Sequence, residues 1–215
     1  MIVGYAVLYK DGTLVISKKH SMLSKKVRKD YGQFEDTNVP WKNEIKKIEK
    51  VHILDQIKSN CTSKWFEDCM NLTTLINFQN LDTSDCTNFS RMFTCCKSLQ
   101  NINALQNWDV SNGTDFSSMF YSCESLQDLN ELQNWDVSNG TNFLGMFYSC
   151  ESLQDLNGLQ NWNVSNGTDF SGMFEFCTLL NEIYLSNTLN ILTKEMFNKC
   201  NKTLKIYWKN HIYIY

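Results

Sequence analysis

Cysteine offers the most chemistry in this chain, with nine among 215 residues. A thiol can serve as a nucleophile, a metal ligand, half of a disulfide, or a small buried apolar group. Six of the nine are Cys69, Cys96, Cys123, Cys150, Cys177 and Cys200, spaced 27, 27, 27, 27 and 23 residues apart. Zinc sites favour close pairs such as C-x₂₋₄-C, and only Cys95-Cys96 are near neighbours. Paired strands stand about 4.7–4.9 Å apart, and a disulfide needs Cα atoms within roughly 4.4–6.8 Å. Adjacent repeats could therefore bridge. Each of the six instead closes an apolar set with Phe and, in five of them, Met, which favours buried thiols. Cys61, Cys86 and Cys95 fall outside the series, and disulfides there stay open.

The other reactive groups form no machinery. His20, His52 and His211 all lie outside the repeats. Neither a glycine-rich phosphate loop nor a metalloprotease helix motif is present. Asp109 and Asp136 recur from repeat to repeat, with Asn163 as an amide copy. An acid–base pair needs two distinct environments, which near-copies do not supply. The expectation is no catalytic residue, no cofactor and no enzyme. The oxygen-rich run Asp109-Val110-Ser111-Asn112-Gly113-Thr114-Asp115 superficially resembles a calcium loop. An EF-hand needs glycine at position 6 and glutamate at 12, and here glycine falls at 5. The run is read as a turn and cap, with Gly113, Gly140 and Gly167 accepting positive φ, and no metal is expected.

Polar side chains recur in columns as well. Gln106-Asn107, Gln133-Asn134 and Gln160-Asn161 form one set, and Gln127-Asp128 and Gln154-Asp155 another. These ten are the candidate ligand-facing residues: a repetitive polar and acidic face suited to a protein or glycan. The alternative for such columns, and for Asn103, Asn130 and Asn157, is amides bonding from repeat to repeat. Tyr121 and Tyr148 are either exposed anchors or part of the core.

These groups are carried by a 27-residue repeat. Segments 111–137 and 138–164 are identical at 22 of 27 positions. Phe116, Met119, Phe120 and Cys123 stand at i, i+3, i+4 and i+7, one face of a short helix, with Thr114 and Asp115 placed to cap it. Leu126, Leu129, Leu132 and Trp135 recur every three residues, which suggests a chain turning tightly with a short strand at the leucines. One repeat cannot bury its own apolar face; stacked repeats can.

Trp135-Asp136-Val137-Ser138-Asn139-Gly140-Thr141 and Met146-Phe147-Tyr148-Ser149-Cys150-Glu151-Ser152-Leu153 resemble the repeat of the BspA-like leucine-rich-repeat family of bacterial surface proteins. Cys177 to Cys200 looks like the shorter 23-residue form, with Leu180, Ile183, Leu185, Leu189, Leu192 and Phe197. Tyr5–Tyr9, Asp11–Val15 and Val39-Pro40-Trp41 look like the leader before such repeats. The resemblance implies a solenoid, a cell-surface or extracellular location, adhesion and protein binding, without catalysis. Met1–Tyr9 shows no basic region or cleavage site of a secretion signal and reads as a strand, with a hairpin at Asp11-Gly12. A cytoplasmic or virion scaffold is the alternative.

Charge narrows the partners. Residues 1–60 carry +5, residues 61–177 carry −11 and residues 178–215 carry +3, for a net −3. An acidic middle argues against nucleic acid, and no run approaches the ~18 apolar residues of a membrane span. The expected fold is an α+β repeat solenoid: a right-handed leucine-rich-repeat-like array with short strands and short helices. Residues 1–60 form a β-rich N-terminal cap, 61–204 the array and 205–215 a capping strand.

Overall fold

A computed structural model describes residues 2–20, 26–185, 194–208 and 211–214. The chain opens with β1 (Ile2–Tyr9) and β2 (Thr13–Ser17), rich in β-branched and aromatic residues and paired antiparallel. The hairpin at Asp11-Gly12 forms: Gly12 has φ +78°, and Asp11 Oδ1 accepts the Thr13 N–H at 3.1 Å. β3 (Val27–Glu35) pairs antiparallel with the other edge of β1. β4 (Lys50–Ile53) follows and runs parallel to β2, and after the two-residue strand β5 (Ile57–Lys58), β6 (Thr74–Ile76) runs parallel to β4. The result is a five-stranded mixed sheet in the order β3-β1-β2-β4-β6. β7 (Leu81–Asp82) pairs parallel with β5. Near the other end, β8 (Glu182–Leu185), β9 (Lys205–Trp208) and β10 (His211–Ile214) form a three-stranded sheet in the order β10-β9-β8.

Between the sheets the repeats stack in register. Parallel bridges link Cys61 to Asn88, Asn88 to Asp115, Asp115 to Asn142 and Asn142 to Asp169. The backbone hydrogen bonds show why no helix forms. Phe116, Ser118, Phe120 and Ser122 donate their N–H groups to Asn142, Leu144, Met146 and Tyr148 of the next repeat, at 2.7–2.9 Å. The intervening Met119, Tyr121 and Cys123 donate back three residues, to Phe116, Ser118 and Phe120, at 3.1–3.2 Å. An α-helix needs each N–H for the carbonyl four residues back; here alternate donors leave the repeat. Ser118 and Ser122 both sit at φ +54°, in the left-handed region, which a helix excludes.

The expected fold is therefore corrected. The architecture is a mixed five-stranded sheet leading into consecutive tight turns, not an α+β leucine-rich-repeat-like solenoid. Among the described residues there is no α-helix, only short 3₁₀ segments. The strands expected at the leucines form at the ends, as β6 and β8. The middle repeats carry 3₁₀ turns instead, at Asn103–Leu105, Asn130–Asn134 and Asn157–Leu159. The role given to Gly113, Gly140 and Gly167 is corrected as well, since none has positive φ. A Cβ at these positions would stand 2.5, 2.4 and 2.1 Å from the rings of Phe116, Phe143 and Phe170. The ring, not the dihedral, demands glycine. Leu189 and Leu192 lie outside the described residues.

The core is a set of like-on-like columns. Phe93, Phe120, Phe147, Phe174 and Phe197 stack at centroid separations of 5.4–5.6 Å, and Phe89, Phe116, Phe143 and Phe170 at 5.1–5.5 Å. Trp108, Trp135 and Trp162 form a third column. Each of these tryptophans donates its Nε1–H to a carbonyl of the preceding repeat: Phe78, Leu105 and Leu132, at 2.9–3.1 Å. Burial of a large apolar side chain contributes about 1.5–3 kcal/mol, and its polar atom needs a partner once dry. Stacking one copy on the next supplies both.

Candidate functional site

The cysteine column is structural. All nine cysteines are free thiols. Cys96, Cys123, Cys150 and Cys177 are buried and donate S–H to the carbonyls of Phe66, Phe93, Phe120 and Phe147 at 3.1–3.2 Å; half-buried Cys200 does the same to Phe174. Burial pushes all of these thiols up, Cys200 to about 11. Burial likewise raises Cys69, and raises Cys86 to about 11. A nucleophilic cysteine needs the opposite shift.

The oxygen-rich run is used up by turns. Asp109 Oδ1 and Asp115 Oδ1 each accept the N–H and the hydroxyl of the serine two residues on, at 2.6–3.0 Å. Asp136 Oδ1 accepts the Ser138 N–H at 3.0 Å, and hydrogen bonds from Ser138 hold its carboxyl below the usual range. These are Asx turns. Among the described residues, no group of three or more His, Cys, Asp or Glu side chains is placed to hold a metal ion.

The ten polar candidates occupy the surface in two strips. Gln127 and Gln154 are exposed in one column, where Gln154 donates its N–H to the Gln127 carbonyl at 3.2 Å. Half-buried Asp128 and Asp155 turn back onto the N–H groups of Asn130 and Asn157. Gln106, Asn107, Gln133, Asn134, Gln160 and Asn161 are exposed beside the tryptophan column. Asn107 lines a small cleft of about 240 Å³ with Asp82 and Asp109. A further amide column bonds from repeat to repeat: Asn112, Asn139 and Asn166 donate Nδ2–H to the carbonyls of Ser84, Ser111 and Ser138 at 2.7–2.8 Å.

A less repetitive feature lies on the turn face. Tyr121 and Tyr148 are half-buried and stack on each other, not on the core, with centroids 4.5 Å apart and planes 2° apart. Beside them Leu144 is 42% exposed. Gly145 and Gly172, at φ +56° and +61°, keep the surface low next to the rings. Tyr121, Leu144, Gly145, Tyr148, Gly172 and Glu175 line an open, mainly apolar groove of about 330 Å³. Burial, then the Tyr121 hydroxyl and the Glu175 carboxylate, push the Tyr148 phenol up. Sequence reasoning singled out Tyr121 and Tyr148 as anchors or core, but missed the groove beside them because it weighed what the repeats share. The signal lay in what they do not share: Ser117 and Ser118 of one repeat become Leu144 and Gly145 of the next, two of only five differences.

Stacked copies held by alternate backbone donors, with one groove where the copies diverge, define a tandem-repeat protein of consecutive turns. The chain belongs to the family described as "Mycoplasma protein of unknown function, DUF285", whose model matches residues 33–156 and again residues 59–188. The two matches begin about one repeat apart, as an in-register stack requires. This corrects the resemblance to the BspA-like leucine-rich-repeat family, which is a different family. No curated protein matches the chain. Among the described residues, no helix is long and apolar enough to cross a membrane.

Proposed function

We propose that the protein is a non-enzymatic interaction module that holds an extended segment of a partner protein along its turn face. The observation that carries this reading is the groove between Tyr121, Leu144 and Tyr148. Tyrosines offer large contact area at low entropic cost, and a half-exposed leucine beside two glycines gives a partner side chain somewhere to sit. The buried, hydrogen-bonded thiols and the turn-bound aspartates support a role without catalysis.

Panning a random peptide library on the immobilised protein tests this. Peptides should be enriched on the wild-type protein and lost from a Leu144→Ser, Tyr148→Ser variant that keeps its melting temperature. Peptides that bind both proteins equally, or no enrichment at all, would sink the reading.

A further inference from the structure

The electrostatics of the groove select what enters it. On the earlier repeats the glutamates of this face are matched: Glu67 by Arg91 at 2.7 Å and Glu124 by Lys97 at 2.6 Å. At the groove they are not. Glu175 lines it and accepts one hydrogen bond, from Asn198 Nδ2 at 2.9 Å; Glu151, three residues after Tyr148, accepts one from Ser149 Oγ at 3.2 Å. Neither is held in an ion pair among the described residues; Lys97, already bonded to Glu124, acts on Glu151 only through its field. The surrounding segment 61–177 carries only three Lys and Arg against fourteen Asp and Glu, and two of those cations are the ones already paired.

We infer that the groove takes an arginine or lysine side chain from an extended segment of a partner protein. This rests on the reading of the protein as a peptide-binding module and names the chemistry of the segment. Such a side chain has an apolar stem and a charged head. The stem fits against Leu144 and the Tyr121–Tyr148 pair, and the head reaches the free oxygen of Glu175 in a charge-assisted hydrogen bond. The tyrosine rings add attraction for a cation. A neutral side chain would leave the Glu175 charge uncompensated, and an anionic one would be repelled by the whole face.

The probes are the peptides recovered by panning, resynthesised with a fluorescent label, each beside a copy in which every Lys and Arg is replaced by Gln. Binding is read by anisotropy at low and high salt. The recovered peptides should carry Arg or Lys next to an aliphatic or aromatic residue. The Gln copies should bind about tenfold more weakly. Glu175→Gln keeps the hydrogen bond to Asn198, and it should weaken the cationic peptides about fivefold while leaving their Gln copies unchanged. Raising salt should weaken only the cationic set. Neutral or acidic peptides that need Leu144 and Tyr148 but ignore Glu175→Gln would overturn the cation and leave the peptide site standing. Binding of neutral glycans on an array, abolished by Tyr148→Ser, with no peptide bound, would overturn both.

Discussion

Raising the pH should unfold this protein in a way that counts its buried thiols. Cys69, Cys86, Cys96, Cys123, Cys150 and Cys177 are buried, and burial raises each pKa in the folded state. In the unfolded chain the same thiols ionise near pH ~8.5. Below that value both states hold the proton and the thiols cost nothing. Above it the unfolded chain releases protons that the folded chain keeps, so stability falls as pH rises toward the folded values. At about pH 9.5 each thiol costs about 1.4 kcal/mol relative to neutral pH. Six together cost roughly 8 kcal/mol, as large as the whole stability of a typical domain, about 5–15 kcal/mol. The assay is urea denaturation under reducing conditions at neutral pH and at about pH 9.5. A Cys123→Ala, Cys150→Ala variant starts out less stable, but its loss between the two pH values should be smaller by about 3 kcal/mol. A fall below about 2 kcal/mol in the wild type, or an equal fall in the variant, would refute the linkage.

Other expectations can be checked alongside. Phe147 is fully buried between Phe120 and Phe174; Phe147→Ala should cost about 3–5 kcal/mol and lower the melting temperature by about 6–20 °C. Gly140→Ala places a methyl 2.4 Å from the Phe143 ring, which cannot retreat because Phe116 and Phe170 flank it; calorimetry should show about 1–3 kcal/mol of destabilisation. A thiol reagent applied to native protein and read by mass spectrometry should modify half-buried Cys61 and Cys95 first, Cys200 more slowly, and the six buried thiols only after denaturation.

The core was legible in the sequence column by column. The Phe, Met, Cys, Leu and Trp positions that recur every 27 residues are the residues the fold buries. What those columns build was not legible. Phe116, Met119, Phe120 and Cys123 have helical spacing, but consecutive tight turns bring the same positions inward. The two differ only in where the N–H groups go, and no side chain announces that Ser118 donates to Leu144 of the next repeat. Glycine misled for a related reason. It is chosen at Gly145 and Gly172 where φ is positive, and at Gly140 where a phenylalanine ring takes the room of a Cβ. The letter does not distinguish the two uses. The polar columns drew attention because they repeat. The groove is built at Leu144 and Gly145, where the repeat fails.

The alternation of backbone donors has a consequence for inheritance. Each 27-residue copy presents the same N–H groups to the copy after it and the same carbonyls to the copy before. Recombination between near-identical coding segments can therefore add or excise a whole copy without stranding a single backbone group. Any register other than a whole copy would orphan the set. Selection on such a gene can lengthen or shorten the molecule in fixed steps, moving its two end sheets apart or together while the backbone ladder between copies keeps its pattern.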